Sequence, residues 1–424
     1  MSDVSVFNFD VIKDPYEVYK HLRDEEPVHF EAALNVHVVT RYDLVREAIR
    51  DTQTFSSKFD GFLAESQRMM FEAAAPEIQQ KLMAMNEKMI IPPPTMLTLD
   101  EPEHKQYRSL VSKLFTAGQI RLAEPGVQQV IDDTVARMGR TDGDSQRAEF
   151  ISEFADPIPL RIIGDRLGIP EERREQFNHG ATQAASALRL TPLDGEQLVA
   201  RTQTALDLQE LLIELVEARR AKPEEDMITI LANSKLEEED RLLTHGECIS
   251  VLNQFLVAGH ETTSSAFGWG LLLLCQNPEV QDQLRGNEKL IKVFCEEALR
   301  LEAPVQGLPR VVTRDTELGG YPLKAGDMIM LRYGAANRDE RQFEDPDALN
   351  IHRAKAGSQL AFGAGVHFCI GAPLARQELN LGFLSLLAHG KNFRLAEDAP
   401  KPESEVSFIL RNLPELHIVY DHID

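Results

Sequence analysis

The chain has 424 residues, 43% hydrophobic and 27% charged, an ordinary globular composition that can bury a large core. Its formal net charge of -23 argues against nucleic acid or an anionic membrane surface as a general partner, although screening over about 8 to 10 Å leaves room for a local basic patch. Cys248, Cys275, Cys295 and Cys369 are scattered, with no Cys-x-x-Cys pair, which disfavours a disulfide framework or a structural zinc site.

The first residues mix acids and bases (Asp3, Asp10, Lys13, Asp14, Glu17) and hold no apolar stretch of signal-peptide or anchor length, so a cytoplasmic protein with no membrane partner is expected. Residues 28–41 alternate and turn at Asn35, as a β-hairpin would. Residues 59–98 carry six of the eleven methionines: Met69, Met70, Met83, Met85, Met89 and Met96. Such a surface adapts to varied apolar shapes, but 79–91 reads equally well as an amphipathic helix with methionine as gap-filler. Pro92-Pro93-Pro94 is too short for a spacer, and no repeat or linker divides the chain, so one domain over residues 1–424 is expected. Helical periodicity marks 198–220, 244–275 and 288–301, and the acidic run Glu237-Glu238-Glu239-Asp240 reads as a solvated face. Residues 310–331 are β-rich, with turn signals at Gly319-Gly320 and Ala325-Gly326. A helix is predicted over 372–388 and a strand-like stretch over 406–419. The fold class is mainly α with small β-sheets.

Chemistry concentrates in residues 362–371, where Cys369 lies on a loop punctuated by Gly363, Gly365 and Gly371 and runs directly into the 372–388 helix. Glycine opens backbone conformations closed to other residues, so main-chain N–H groups can turn toward the sulfur and favour its thiolate. A lone cysteine is otherwise most often an inert core residue. A second irregularity interrupts the apolar 244–275 helix at Ala258-Gly259-His260-Glu261-Thr262-Thr263. Ala258 and Thr262 share a face four residues apart, leaving space beside a hydroxyl that can bond back to the helix; a tolerated kink with a buried hydroxyl cluster is the alternative.

The loop matches the haem-binding loop of the cytochrome P450 family, Phe-Gly-x-Gly-x-His/Arg-x-Cys-x-Gly, at every specified position. The helix break resembles that family's Ala/Gly-Gly-x-Asp/Glu-Thr-Thr/Ser motif, which lies over the open face of the haem. The resemblance covers essentially the whole chain and implies a single-domain triangular haem-thiolate fold with haem b, iron protoporphyrin IX, as cofactor. It implies Cys369 as the proximal thiolate, which pushes electron density onto iron and favours O–O cleavage. Thr262 would donate a hydrogen bond to bound oxygen and Glu261 would bring protons inward, with Ala258 and Gly259 lining the cofactor.

The same resemblance assigns haem-propionate contacts to His104 and Arg108, spaced i, i+4 on one helix face behind Pro102, and to Arg310 and His367; Phe362 and Gly371 belong to the cofactor loop. Glu297, Arg300 and Arg353 match the family's Glu-x-x-Arg motif and meander, a scaffold rather than a catalytic group. Gln359 departs from the histidine that many relatives carry before Phe-Gly. The activity implied is insertion of one oxygen atom from O2 into a C–H bond of a medium-sized, largely apolar organic substrate, such as a terpenoid, steroid or hydrophobic aromatic. Phe255, Ala258, Val305, Leu308, Met85 and Met89 are the candidate pocket. No Gly-x-Gly-x-x-Gly fingerprint is present, so a separate iron-sulfur ferredoxin and its reductase are expected, docking at Lys105, Lys113, Arg121, Lys355 and Arg376. A peroxide-driven enzyme with the same cofactor and a non-enzymatic haem-thiolate ligand or gas sensor are the rival readings.

Overall fold

A computed structural model describes residues 5–143, 145–186, 193–236 and 239–423. The chain divides into two compact units, one of Met1–Phe55, Ile120–Arg161 and Glu261–Asp424, the other of Ser56–Gln119 and Ile162–His260. Helices dominate, and the sheets are small. Glu237 and Glu238 of the acidic run lie outside the described residues.

In the first unit the expected hairpin forms from Val28–Glu31 and Val36–Val39, with Val28 opposite Val39. Asn35 turns it at φ 51°, a left-handed conformation that its short polar side chain tolerates. Met328–Arg332 pairs parallel with Val36–Val39, and Gly307–Val312 pairs antiparallel with Met328–Arg332, setting Leu308 opposite Leu331 and Arg310 opposite Ile329. The buried cluster on this sheet includes Val39, Val45, Ile49, Ile329, Leu331 and Leu360. Val305, Leu308 and Ala364 pack against that same cluster, so one apolar core fixes both the strand entrance and the cysteine loop.

Only His417–His422 of the strand-like 406–419 stretch is a strand, antiparallel to Ser145–Glu149 and to Gly390–Leu395. Upstream, Ile409 and Leu410 donate their N–H groups to Ser407 Oγ, and Val305 bridges Leu410. Residues 409–413 are buried together in a turning segment, and a short apolar run of that kind reads as a strand whatever the backbone does.

The predicted 244–275 helix is His245–Gln276, 32 residues and so about 48 Å long. Its second half crosses Ala372–His389 at close quarters: a Cβ on Gly270 would lie 2.5 Å from the Phe383 ring, and one on Gly382 2.5 Å from Phe267. Each helix thus supplies a glycine to receive the other's fully buried phenylalanine, and burying such a ring is worth about 1.5 to 3 kcal/mol. Beside them the helix Glu288–Leu301 presents Glu297, which accepts from Arg300 Nε at 2.7 Å and lies 2.9 Å from Arg353 Nε. Asn350 N donates to the same carboxylate at 3.1 Å, and Arg300 Nη1 reaches Asn337 O at 3.0 Å. The expected scaffold cluster is therefore assembled.

The second unit contains Pro76–Asn86, Glu103–Ser112 and Gly195–Ala221. Asp194 starts the last of these with a capping box, its side chain accepting from Gln197 N while Gln197 Oε1 accepts from Asp194 N. The early part of the long helix stitches residues 90–97 in place. Ser250 Oγ donates to Pro93 O at 2.8 Å, and Gln254 Oε1, one turn on, accepts from Leu97 N at 3.2 Å.

Candidate active site

The cysteine loop is closed by main-chain bonds. Cys369 N donates to Phe362 O at 2.9 Å, Gly363 N to Leu360 O at 2.8 Å and Phe368 N to Gly365 O at 3.1 Å. Gly363 and Gly365 take φ of 66° and 67°, a region that a side chain would strain, and this is why the loop can fold so tightly. Ala372–His389 begins three residues after the cysteine, which sets its thiol beside the positive end of a helix. Cys369 and Cys275 are half-buried, Cys248 and Cys295 buried; burial pushes the Cys248 thiol up to about 11, that of Cys275 to about 12, and that of Cys295 well above its ordinary value. Those three are held as neutral thiols.

Beneath the loop, Arg376 stacks over the Phe362 ring at 4.5 Å and donates from Nε to Glu296 Oε1 at 2.5 Å. Gln359, where histidine was expected, donates to Glu296 Oε2 at 3.1 Å and accepts from Ala361 N at 2.5 Å. The amide thus supplies the local hydrogen bonds that the departure left open. Arg376 is committed to Glu296, which weakens it as a docking cation; Lys105, Lys113, Arg121 and Lys355 are exposed.

Among the residues matched to propionate contacts, Arg310 is 2% exposed, and its Nη1 donates to Pro309 O at 2.7 Å. Its Nε has no hydrogen-bond partner among the described residues, and a buried guanidinium in that state calls for an anion. His367 is half-buried in the short turn Gly365–His367 of the same unit. In the other unit, His104 is buried and Arg108 half-buried on Glu103–Ser112. Burial, and next the charge of Arg108, lower the His104 pKa, and a carboxylate beside the pair would offset that repulsion. Between them Tyr107 donates to Glu247 Oε1 at 2.8 Å, tying this helix to the start of the long one.

The long helix is buried along most of its length, yet Ala258 is exposed and Thr262, one turn on, half-buried. The helix therefore presents an open face at the expected break. A Cβ on Gly259 would touch Ile163 at 3.4 Å. Glu261 is only 6% exposed, and its Oε1 accepts from Asn412 Nδ2 at 2.7 Å. Asn412 carries no motif, and its neighbour in space lies some 150 positions away in sequence, so nothing in the sequence pointed to it.

Of the candidate pocket residues, Val305 and Leu308 flank the sheet core, partly buried. Phe255 is 6% exposed and stacks on Phe115 with centroids 5.6 Å apart. Met85 and Met89 are half-buried, Met85 in Pro76–Asn86 and Met89 just beyond it. The second unit also holds a mostly apolar cavity of about 620 Å³, lined in part by Met69, Met70, Ala73, Ile78 and Leu198. Methionine enters that lining through Met69 and Met70 rather than Met85 and Met89.

The Cytochrome P450 family model matches residues 88–419, which include both motifs. The chain belongs to the cytochrome P450 family. Over 423 residues it is 31% identical to cytochrome P450 107B1 of Saccharopolyspora erythraea, covering 98% of this chain and 97% of that one. It is 31% identical to the vitamin D(3) 25-hydroxylase of Pseudonocardia autotrophica, covering 96% and 94%. The solved structure of cytochrome P450 CYP109Q5 from Chondromyces apiculatus aligns over 100% of this chain and 99% of its own, with 28% identity and a TM-score of 0.83. The mainly α fold with small sheets is the cytochrome P450 fold, and the protein is a P450 monooxygenase, an oxidoreductase. The family binds protohaem IX through a cysteine thiolate, and the residues described above fit it: a half-buried cysteine at a helix start, a buried arginine with a spare donor, and an open helix face. No described helix is long and apolar enough to cross a membrane.

Proposed function

We propose that this P450 hydroxylates a C–H bond of a medium-sized, largely apolar substrate, using O2 and electrons from a separate iron-sulfur ferredoxin and its reductase in the cytoplasm. The observation that carries the reading is the setting of Cys369, on a glycine loop at a helix start, whereas burial raises the other three thiols above their ordinary value. Cys369 would hold the iron, with Phe362 and Gly371 shaping the loop around it. Arg310, His367, His104 and Arg108 would be the donors to the propionates, and one domain over 1–424 is the proposed organisation.

When bound, the haem supplies the centre at which dioxygen is split and one atom passed to the substrate. The protein's part is to position, to exclude water and to deliver protons. Ala258 and Gly259 leave room over the cofactor, and the Thr262 hydroxyl donates a hydrogen bond there. Glu261, buried yet bonded to a polar amide, carries protons toward that hydroxyl. Phe255, Val305, Leu308, Met85 and Met89 are the proposed substrate contacts. The relative named vitamin D(3) 25-hydroxylase is in keeping with hydroxylation as the reaction.

The reduced holoprotein given carbon monoxide should develop the red-shifted absorption of a sulfur-trans adduct; failure to do so overturns Cys369 as ligand. Turnover is then compared with ferredoxin and reductase, with peroxide alone, and with neither. Product only with peroxide would replace the reading by a peroxide-driven enzyme, and product in none, by a ligand sensor. A difference-spectrum screen of small apolar compounds tests the substrate class.

A further inference from the structure

A turn remote in sequence from the long helix reaches the acid of the proposed oxygen-activating pair. Ser265 Oγ and Trp269 Nε1 both donate to Arg411 O, the latter at 3.0 Å. With Glu261 these residues stand at i, i+4 and i+8, so one stripe of the helix clasps the Arg411 carbonyl and the Asn412 side chain. Next in the chain, Asn412 is 7% exposed and donates from Nδ2 to Glu261 Oε1 at 2.7 Å and to Glu405 Oε2 at 3.3 Å. Glu405 is half-buried, and its N–H donates to Asn412 O at 3.0 Å, closing the turn on itself. One amide nitrogen thereby holds two carboxyl groups, a buried one on the helix and one nearer solvent. Its two hydrogens suffice for both, and each bond to a carboxylate is stronger than a neutral one.

We propose that Asn412 and Glu405 are positioning residues for Glu261, the amide holding its carboxylate in one place for proton delivery and Glu405 orienting the amide. This inference rests on the proposed role of Glu261. A long side chain on a helix samples several rotamers, and the Asn412 bond selects one of them; losing it scatters the carboxylate and slows proton arrival.

The test uses the holoenzyme with substrate, ferredoxin and reductase, and measures product and peroxide per reduced nicotinamide consumed. Asn412→Ala should lower product formation by on the order of tenfold, as expected for loss of a bond to a charged group, and raise peroxide in step. Glu405→Gln keeps an acceptor for the amide and should stay near the parent, while Glu405→Leu should uncouple as Asn412→Ala does. A second readout needs no turnover: the carboxyl infrared band of Glu261 in the resting ferric protein, assigned by its loss in Glu261→Gln, should shift or broaden in Asn412→Ala and Glu405→Leu. Substrate-binding spectra and thermal midpoints identify a variant that is merely misfolded. If Glu261→Gln uncouples while Asn412→Ala couples like the parent with an unmoved band, this inference fails alone. If Glu261→Gln itself couples normally, the reading beneath it fails. Uncoupling by Glu405→Gln as severe as by Glu405→Leu would overturn the orienting role and make the Glu405 charge the active property.

Discussion

Thr262 is half-buried one turn from exposed Ala258, while the hydroxyl residues after it, Thr263, Ser264 and Ser265, are buried. Thr262→Ala should leave substrate binding intact and divert electrons to peroxide, with product per reduced nicotinamide falling by on the order of tenfold. Unchanged yield would remove it from the proton path. Cys369→Ser should abolish the sulfur-trans carbon monoxide band, whereas Cys248→Ala should keep it, because burial holds that thiol neutral and unfit for iron. At this scale the sequence was legible where a residue type was chemically odd for its setting, as with a cysteine among glycines or a glutamate inside an apolar helix. It was silent on Asn412 and on the link between Gln359 and Glu296, because ordinary polar residues acquire a role only from a neighbour the chain brings in from afar.

At the scale of elements, the start of the long helix and the helix Glu103–Ser112 are joined through Glu247. Its carboxylate accepts from Arg241 Nη1 at 2.8 Å and Nη2 at 3.0 Å, from Thr244 N at 2.7 Å and from Tyr107 OH at 2.8 Å. Burial opposes its ionisation, but the Arg241, Thr244 and Tyr107 bonds outweigh that and hold its pKa down to about 2, from an ordinary 4.5. A carboxyl with a depressed folded pKa stabilises fully above the unfolded value, so this contribution is complete above about pH 4.5 and is lost as pH falls toward 2. Thermal midpoints of Glu247→Gln should accordingly lie below the parent's at neutral pH and converge with them as acid is added through that window. Tyr107→Phe removes one bond to the carboxylate and should cost about 1.5 to 3 kcal/mol, with weaker haem retention if His104 and Arg108 hold the propionates. The helices at 195–221, 245–276 and 288–301 were readable from their 3.6-residue periodicity. The 406–416 stretch reads as a strand because much of it is apolar, yet it is a buried turn clamped by Ser407 and by the long helix, information that no local window contains.

For the whole molecule, stability and electron supply depend on charge placement more than on charge total. Arg300 and Glu297 are both 0% exposed, and removing one partner of a buried pair leaves an uncompensated charge. Arg300→Leu should cost about 3 to 5 kcal/mol, read as loss of soluble holoprotein or a sharply lowered midpoint, while leaving the cysteine loop's sequence untouched. On a chain of net charge -23, the proposed docking of an acidic ferredoxin would rest on local cations. Charge reversal at Lys355 and Arg121 should slow reduction and flatten its salt dependence, whereas Arg376→Glu should instead disturb the haem loop, because Arg376 serves Glu296 and Phe362. Identical reduction kinetics in the double reversal would move the docking face elsewhere.

The sequence, through its own patterning and its resemblance to the cytochrome P450 family, indicated the mainly α fold class and pointed to Cys369, the break at 258–263 and the Glu297, Arg300 and Arg353 cluster as expectations. Only the tertiary structure decided which methionines line a cavity, that Arg376 is spent on Glu296, and that an amide from the 412 region meets Glu261. The last two turn on hydrogen bonds of 2.5 and 2.7 Å between residues 80 and 151 positions apart, and a chain encodes such distances only through the packing of everything between them.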